Sequence, residues 1–325
     1  MIGLSMDNNK ERVGNLVHSV DGLNTCTNQP INIIFEKGQI AQDLLQIISF
    51  RNKFVDDGTP RNITNNFYFA EGSVGKLLIR YHTSSNEAFL TNSTTNIRLE
   101  EDAVADMLIV QNEHTNSFHH TDFNIEIAAN AHLKLIFISL HGGKIENNVT
   151  VNLNGERANV DISSLSLFDG NQIISNKLLV VHNKPNCTSH QLFKGILDDN
   201  AQSHFNGMIN VVKDAQQTEA YQENHNLVLS DTVKVTTEPQ LEIYADDVRC
   251  SHGATVGRLP DDEVFYMRSR GISEKGAKLL QLLAFAFTVL EKIDNTQLRD
   301  RMFILVEKRL NGVFSECNIC DDSYC

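Results

Sequence analysis

The chain has 325 residues and a formal net charge of -13 at pH 7. This excess of acidic side chains disfavours nucleic acid and anionic membranes as partners, because both are bound through basic surfaces. Hydrophobic residues make up 41% of the chain and charged residues 21%, which is typical of a folded protein and excludes disorder of the whole chain.

The sequence predicts neither a membrane span nor an export signal. Its most apolar window, Leu279 to Leu290, is too short to cross a bilayer, and residues 1–12 lack the pattern of a secretory signal. Three of the six cysteines stand singly, namely Cys26, Cys187 and Cys250, unlike those of a disulfide-stapled secreted protein. We therefore expect a cytoplasmic protein with free thiols.

Residues 1–66 form the first predicted region, a polar lead-in. Within it, residues 31–35 indicate a short strand. Residues 40–50 indicate a short helix, because apolar side chains recur at Leu44, Leu45, Ile47 and Ile48.

Residues 67–271 form the second region, in which short apolar runs alternate with Asn, Asp, Gly and Ser. Period-two alternation, as in Val149-Thr-Val-Asn-Leu153, predicts strands. The pattern fits a sandwich, a barrel or a β-helix, and no short repeat distinguishes them.

Two helices are predicted for residues 272–312. Ser273 is a good N-cap, and an apolar face extends to Ile293. The second helix is expected to begin at Asn295 or Thr296 and to end near Gly312. A tail of residues 313–325 follows.

Several ordered phrases in the second half of the chain belong together. They include Gln191-Leu-Phe-Lys-Gly195 and Gln222-Glu-Asn-His-Asn226, and the most specific is Pro239-Gln-Leu-Glu-Ile-Tyr-Ala-Asp-Asp-Val-Arg-Cys-Ser-His-Gly-Ala-Thr-Val-Gly257. Over residues 85–293 the chain resembles the SufB/SufD family of SUF iron–sulfur cluster assembly subunits, and the last phrase is most like the SufD branch. The resemblance implies a right-handed parallel β-helix with flanking helices. It also implies a longer helical N-terminal region than residues 1–66 offer.

The candidate site lies in this last phrase. Cys250 and His252 fall on one face of a predicted strand, because the side-chain phase changes near Asp246-Asp247. The residues alone favour a buried thiol beside a core histidine. The resemblance instead implies that His252 faces a SufB cysteine where a transient Fe–S cluster forms, with Cys250 as a weaker candidate ligand.

The resemblance further implies a non-enzymatic scaffold subunit. Such a subunit pairs with SufB and binds the ATPase SufC through residues 272–312. The chain lacks the GxxxxGK[ST] phosphate loop, so we expect ATP hydrolysis in the partner. No tightly bound cofactor is expected. The sequence does not decide whether a flavin binds to the complex or whether the chain forms a homodimer.

Other residues suggest alternative chemistry. Asp246 and Asp247 could serve as acid and base in a β-solenoid enzyme acting on polysaccharide, or simply cap a corner. A metal at His114, His119 and His120 competes with a solvated loop. Cys187 fits a structural thiol.

The tail residues Cys317, Cys320 and Cys325, with Asp321 or Asp322 as a fourth ligand, could chelate a metal. Incidental thiols in a tail explain the same pattern.

Overall fold

The computed structural model describes residues 30–51, 60–83 and 87–312. Sixteen strands lie in these ranges: β1 (Ile31–Phe35), β2 (Leu45–Arg51), β3 (Arg61–Phe69), β4 (Val74–Thr83), β5 (Phe89–Leu99), β6 (Val104–Asn112), β7 (Ser117–Ile127), β8 (His132–His141), β9 (Lys144–Leu153), β10 (Asn159–Phe168), β11 (Ile173–His182), β12 (Thr188–Leu197), β13 (Gln202–Val211), β14 (Thr218–Val228), β15 (Lys234–Ile243) and β16 (Val248–Gly257). Three helices follow: α1 (Asp261–Ser269), α2 (Glu274–Leu290) and α3 (Thr296–Leu310).

The strands form two parallel sheets in which each strand pairs with the strand two places along the chain. The odd sheet has the order β1-β3-β5-β7-β9-β11-β13-β15, and the even sheet has the order β16-β14-β12-β10-β8-β6-β4-β2. Each successive pair of strands therefore adds one turn to a β-solenoid. This confirms the mainly β, parallel solenoid fold and decides among the three architectures that alternation had left open.

Partners in adjacent turns are separated by 26 to 34 residues in the sequence. This spacing explains the lack of a visible short repeat. Several corners contain a non-glycine residue in the left-handed region, such as Asn130 at φ 56 and Asp199 at φ 53. Asn and Asp tolerate this conformation better than most residues, so the polar clusters in the sequence mark the corners.

Apolar side chains fill the interior between the sheets, including Leu135, Val160 and Ile162, all 0% exposed. The even sheet also buries part of its outer face, because α2 and α3 pack on it. There Leu165 and Ile138 join Ala286 in a second cluster. Two-sided burial explains the near-continuous apolar runs of the even strands.

The solenoid begins earlier than predicted. β1 pairs with β3 from Ile31 onward, and β3 pairs with β5, so the described part of residues 1–66 is solenoid rather than lead-in. The helix predicted within residues 40–50 was wrong, because Leu45–Arg51 is a strand in register with β4. Its apolar spacing fits both structures, and stacking on β4 decides for the strand.

The C-terminal end also differs from the prediction. The solenoid ends at Gly257 rather than at residue 271, and α1 was missed because Val264 is its only buried residue. The later helices agree with the prediction: the Ser273 hydroxyl accepts from the Gly276 N–H at 3.1 Å, and Asn295 caps α3. No helix within the described ranges has the length and apolarity to span a membrane.

Candidate site at the last turn of the solenoid

The last turn consists of β15 and β16, joined by a corner at residues 244–247. β16 pairs with β14 without a register shift, placing Cys250 beside Ala220 and His252 beside Gln222. Ala220 and Gln222 are 0% exposed and face the interior. Because in-register residues share a face, Cys250 and His252 also lie on the inward face. The predicted change of phase at Asp246-Asp247 is therefore confirmed.

Cys250 and His252 differ in exposure. The thiol is half-buried against the core cluster that contains Ala220 and Ala245, and burial raises the pKa of Cys250 above its usual value. His252 is exposed, and its ring makes no hydrogen bond or ion pair with any other described residue. The site thus offers a thiol that is protonated at neutral pH and an imidazole that is not hydrogen-bonded to any described residue. Since metals bind the thiolate, the imidazole is the readier ligand.

The described residues do not hold a metal alone, because no three His, Cys, Asp or Glu side chains converge within residues 30–51, 60–83 and 87–312. A metal at His252 would need ligands from another chain. Imidazole and thiolate are both accepted ligands of iron–sulfur centres.

The open edge of the last turn offers a place for such a chain. β15 and β16 each pair on one side only among the described strands. Several apolar side chains nearby are exposed, including Val256 at 50%, Ile243 at 38% and Tyr244 at 62%. An unpaired edge with apolar side chains is a template for another strand.

Comparison with known proteins identifies the family. Residues 64–287 match the model of the SUF system FeS cluster assembly, SufBD core domain. The chain belongs to the SufBD family. It is 33% identical to the iron–sulfur cluster assembly protein SufD of Escherichia coli over 75% of this chain and 57% of that protein. It is 34% identical to a SufBD family protein of Synechocystis over 66% of this chain and 48% of that protein. The chain therefore spans about half the length of the curated relatives it matches.

The histidine group considered from the sequence is not brought together in this SufBD chain. His119 and His120 are neighbours in β7 and point to opposite faces. His119 is buried and contacts the Glu113 carboxylate at 2.7 Å, whereas His120 lies outside, 3.2 Å from both Asp122 and Glu146. The segment is a strand rather than a solvated loop, and alternation separates the two rings.

Asp246 and Asp247 are exposed at the last corner. The backbone of Asp247 is hydrogen-bonded to the corresponding corner of the turn before. Its carbonyl accepts from the Gln217 N–H at 2.6 Å, and its N–H donates to the Gln216 side chain at 2.9 Å. The geometry favours a corner over an acid–base pair.

Cys187 is fully buried, and its thiol donates to the Gly155 carbonyl at 3.2 Å. Burial raises the pKa of this thiol, in agreement with a structural role. Cys26 and the three tail cysteines lie outside the described residues.

Sequence reasoning missed part of the exposed apolar surface on the helical module. Phe265 and Tyr266 of α1 are 71% and 59% exposed, and Leu280, Phe287 and Ile304 of α2 and α3 are also exposed. Leu280 and Phe287 belong to the surplus apolar positions of α2 that the sequence does show. Phe265, Tyr266 and Ile304 are the part that was missed, because α1 gave no signal.

Proposed function

We propose that this chain is a non-catalytic scaffold subunit of a SufBCD-type complex for iron–sulfur cluster assembly. The observation that carries the proposal is His252, which is exposed on the last turn of the solenoid and has no side-chain partner among the residues that the structure describes. Membership of the SufBD family supports the role in cluster assembly.

The first partner is a SufB-type subunit, which adds to the open edges of β15 and β16. Backbone pairing along a strand gives affinity, and burial of Val256 and Ile243 adds apolar contact. A second copy of this chain competes for the same edges. Either partner would cover His252 and bring its own residues to it.

The cargo is a transient iron–sulfur cluster held between His252 and a thiolate of the SufB-type partner. Neutral imidazole releases iron more easily than thiolate does, which suits a scaffold that must pass its cluster on. Cys250 is the weaker ligand, because its half-buried thiol must first lose a proton. A flavin on the complex would supply electrons from outside this site.

The second partner is an ABC-type ATPase of the SufC kind, bound through residues 272–312. Leu280, Phe287 and Ile304 are 49%, 41% and 45% exposed there. Apolar patches of this kind are typical of helix-in-groove contacts. The free thiols Cys187 and Cys250 fit action in a reducing cytoplasm.

Co-expression with SufB- and SufC-type subunits tests the proposal. We expect the purified complex to contain all three subunits, and iron and flavin are then counted. His252→Ala should leave the subunits together and lower cluster assembly.

His225→Ala is the matched control, because His225 lies at the same end of the solenoid but on the outer face, 2.8 Å from Thr255. Equal cluster assembly in His252→Ala and His225→Ala would contradict a role for His252 in the cluster site. Recovery of no ATPase, together with sugar-degrading activity, would favour a solenoid enzyme instead.

A further inference from the structure

Three side chains are stacked on the inward face behind the candidate site. Gln191 pairs in register with Gln222, and Gln222 pairs in register with His252. Adjacent turns of a sheet are about 4.8 Å apart, so the carboxamide of Gln222 lies one turn beneath the imidazole.

Gln222 is fixed in the interior. It is 0% exposed, and its Nε2 donates to the Gln191 Oε1 at 2.5 Å. Opposite it stands Gly207, where a Cβ would lie only 2.6 Å from the Gln222 Nε2 and 2.7 Å from its Oε1. The absence of a side chain at Gly207 therefore makes the space that the carboxamide occupies.

One atom of this carboxamide is not used. The Gln222 Oε1 is buried and has no hydrogen-bond partner within the part of the chain that is described. The Gln191 Nε2 in the same pair is also buried without a partner among the described residues. Because leaving a buried acceptor unpaired is unfavourable, the Gln222 Oε1 is available to a donor on the neighbouring turn.

His252 lacks an acceptor for its ring N–H among the described residues. A metal-binding histidine almost always donates its second ring N–H to an acceptor, which fixes the tautomer and aims the other nitrogen at the metal. No described residue supplies that acceptor now, and the inward-facing polar side chain in register with His252 on the adjoining turn is Gln222.

We propose that Gln222 is the positioning residue for His252: its Oε1 accepts the inward ring N–H, so that the other nitrogen points to the partner subunit. This inference rests on the proposed function, since it assumes that His252 binds the cluster's iron. Gln222 itself touches no iron.

Gln222→Met is the test variant, because methionine keeps the length of the side chain and removes the acceptor. Gln191→Met is the matched control, because it breaks the same amide pair one turn further from His252. Gln222→Glu retains an acceptor at the same place, and Gln191 can donate to it through its own Nε2. All three are made in the full chain.

The direct readout is the tautomer of His252 in the iron-free complex with the SufB-type subunit, measured from its ring ¹⁵N shifts and assigned by comparison with His252→Ala. We expect one dominant tautomer in the wild type, in Gln191→Met and in Gln222→Glu. Gln222→Met should give the mixture found for free imidazole. A mixture in the wild type, equal change in both Met variants or a mixture in Gln222→Glu would overturn the proposal.

Cluster loading of the co-expressed complex is the second readout. Loss of such a positioning contact typically lowers metal affinity or activity about 10- to 100-fold, and we expect at least the lower value for Gln222→Met alone. If His252→Ala has no effect on loading, the proposed function fails, while the tautomer result still decides whether Gln222 positions the ring.

Discussion

The middle turns and the last turn of this solenoid share one architecture and differ in what covers them. In β10, Val160 and Ile162 are 0% exposed, whereas in β16 the inward Val256 is 50% exposed. Both strands alternate in the same way. The difference is that, among the described strands, β10 has a neighbour on each side while β16 has one. Exposure at the last turn thus comes from position in the stack, and it is what a further chain would remove.

Histidines illustrate the same contrast. His182, at the end of β11, is 0% exposed and lies 2.9 Å from the Ser189 hydroxyl, and burial lowers its pKa to about 4. His252 is exposed at the last turn, and no residue in the described part of the chain bonds to its ring. The His182 ring is buried and hydrogen-bonded within the fold, whereas the His252 ring is available for binding.

The largest loss of stability is expected at Arg309, which anchors α3 to the middle turns of the solenoid. Arg309 is nearly buried and donates to the Leu140 carbonyl at 2.9 Å and to the Asp169 carboxylate at 2.7 Å. Arg309→Met removes both charge-assisted hydrogen bonds, each of which contributes about 1.5–3 kcal/mol. The loss of unfolding free energy, measured by urea denaturation, should therefore be about 3–5 kcal/mol, although the Asp169 side chain left behind is 35% exposed. In the Lys134–Asp294 ion pair the Asp294 side chain is 60% exposed, so Asp294→Asn should change stability by less than about 1 kcal/mol. Equal losses in the two variants would contradict the anchor.

Shortening an inward-facing side chain should destabilise the protein more in the middle turns than in the last turn. Ile162→Ala removes a fully buried side chain and should cost about 2–5 kcal/mol. Val256→Ala, at 50% exposure, should cost less than about 1 kcal/mol in the isolated chain, because little apolar surface leaves contact. Denaturant midpoints measure both. A loss at Val256 as large as that at Ile162 would mean that the last turn is already covered.

Acid should destabilise the middle turns through His182. The folded pKa of about 4 lies below the ordinary histidine value of 6.5, so on acidification the folded chain binds this proton at a lower pH than the unfolded chain. Its stabilising contribution is full above pH 6.5 and is lost as pH falls towards 4. From 1.36 kcal/mol per unit, the loss is about 3 kcal/mol.

Unfolding free energies measured between pH 7 and 4 test this prediction. His182→Gln should reduce the acid-dependent loss by that amount, since glutamine does not titrate. His204→Gln, in the exposed part of β13, controls for removal of an imidazole. An unchanged slope in His182→Gln would show that this ring is not the source.

The smallest effect on folding is expected at the last turn itself. Val256→Lys places a charge on a half-exposed inward position and should change the stability of the isolated chain by less than about 1 kcal/mol. Binding of the SufB-type subunit should instead weaken at least about tenfold, equal to 1.4 kcal/mol, because the ammonium group would be buried between chains. Unchanged affinity in a titration would separate this edge from the partner site.

The sequence predicted those features that depend on local pattern. Alternation predicted the strands of residues 67–257, the caps Ser273 and Asn295 marked α2 and α3, and the phase change at Asp246-Asp247 placed Cys250 and His252 together. These signals arise from neighbours within a few residues.

Features that depend on contacts between turns could not be predicted in this way. The β2 segment has a spacing that fits a helix until its stacking on β4 is known. The Gln191–Gln222 pair joins residues 31 apart. The exposure of the last turn depends on how many neighbours β16 has among the described strands, and it has one. Without a family resemblance, His252 would have remained an ordinary core histidine.

Hydrogen–deuterium exchange of the full chain, alone and with the SufB-type subunit, tests the central claim most directly. We predict that the amides of β16 exchange quickly in the free chain and slow strongly on binding, while those of β10, paired on both sides, change little. Slowing confined to other parts of the chain, or no slowing at β16 in a complex that has formed, would contradict the claim that a partner completes the last turn.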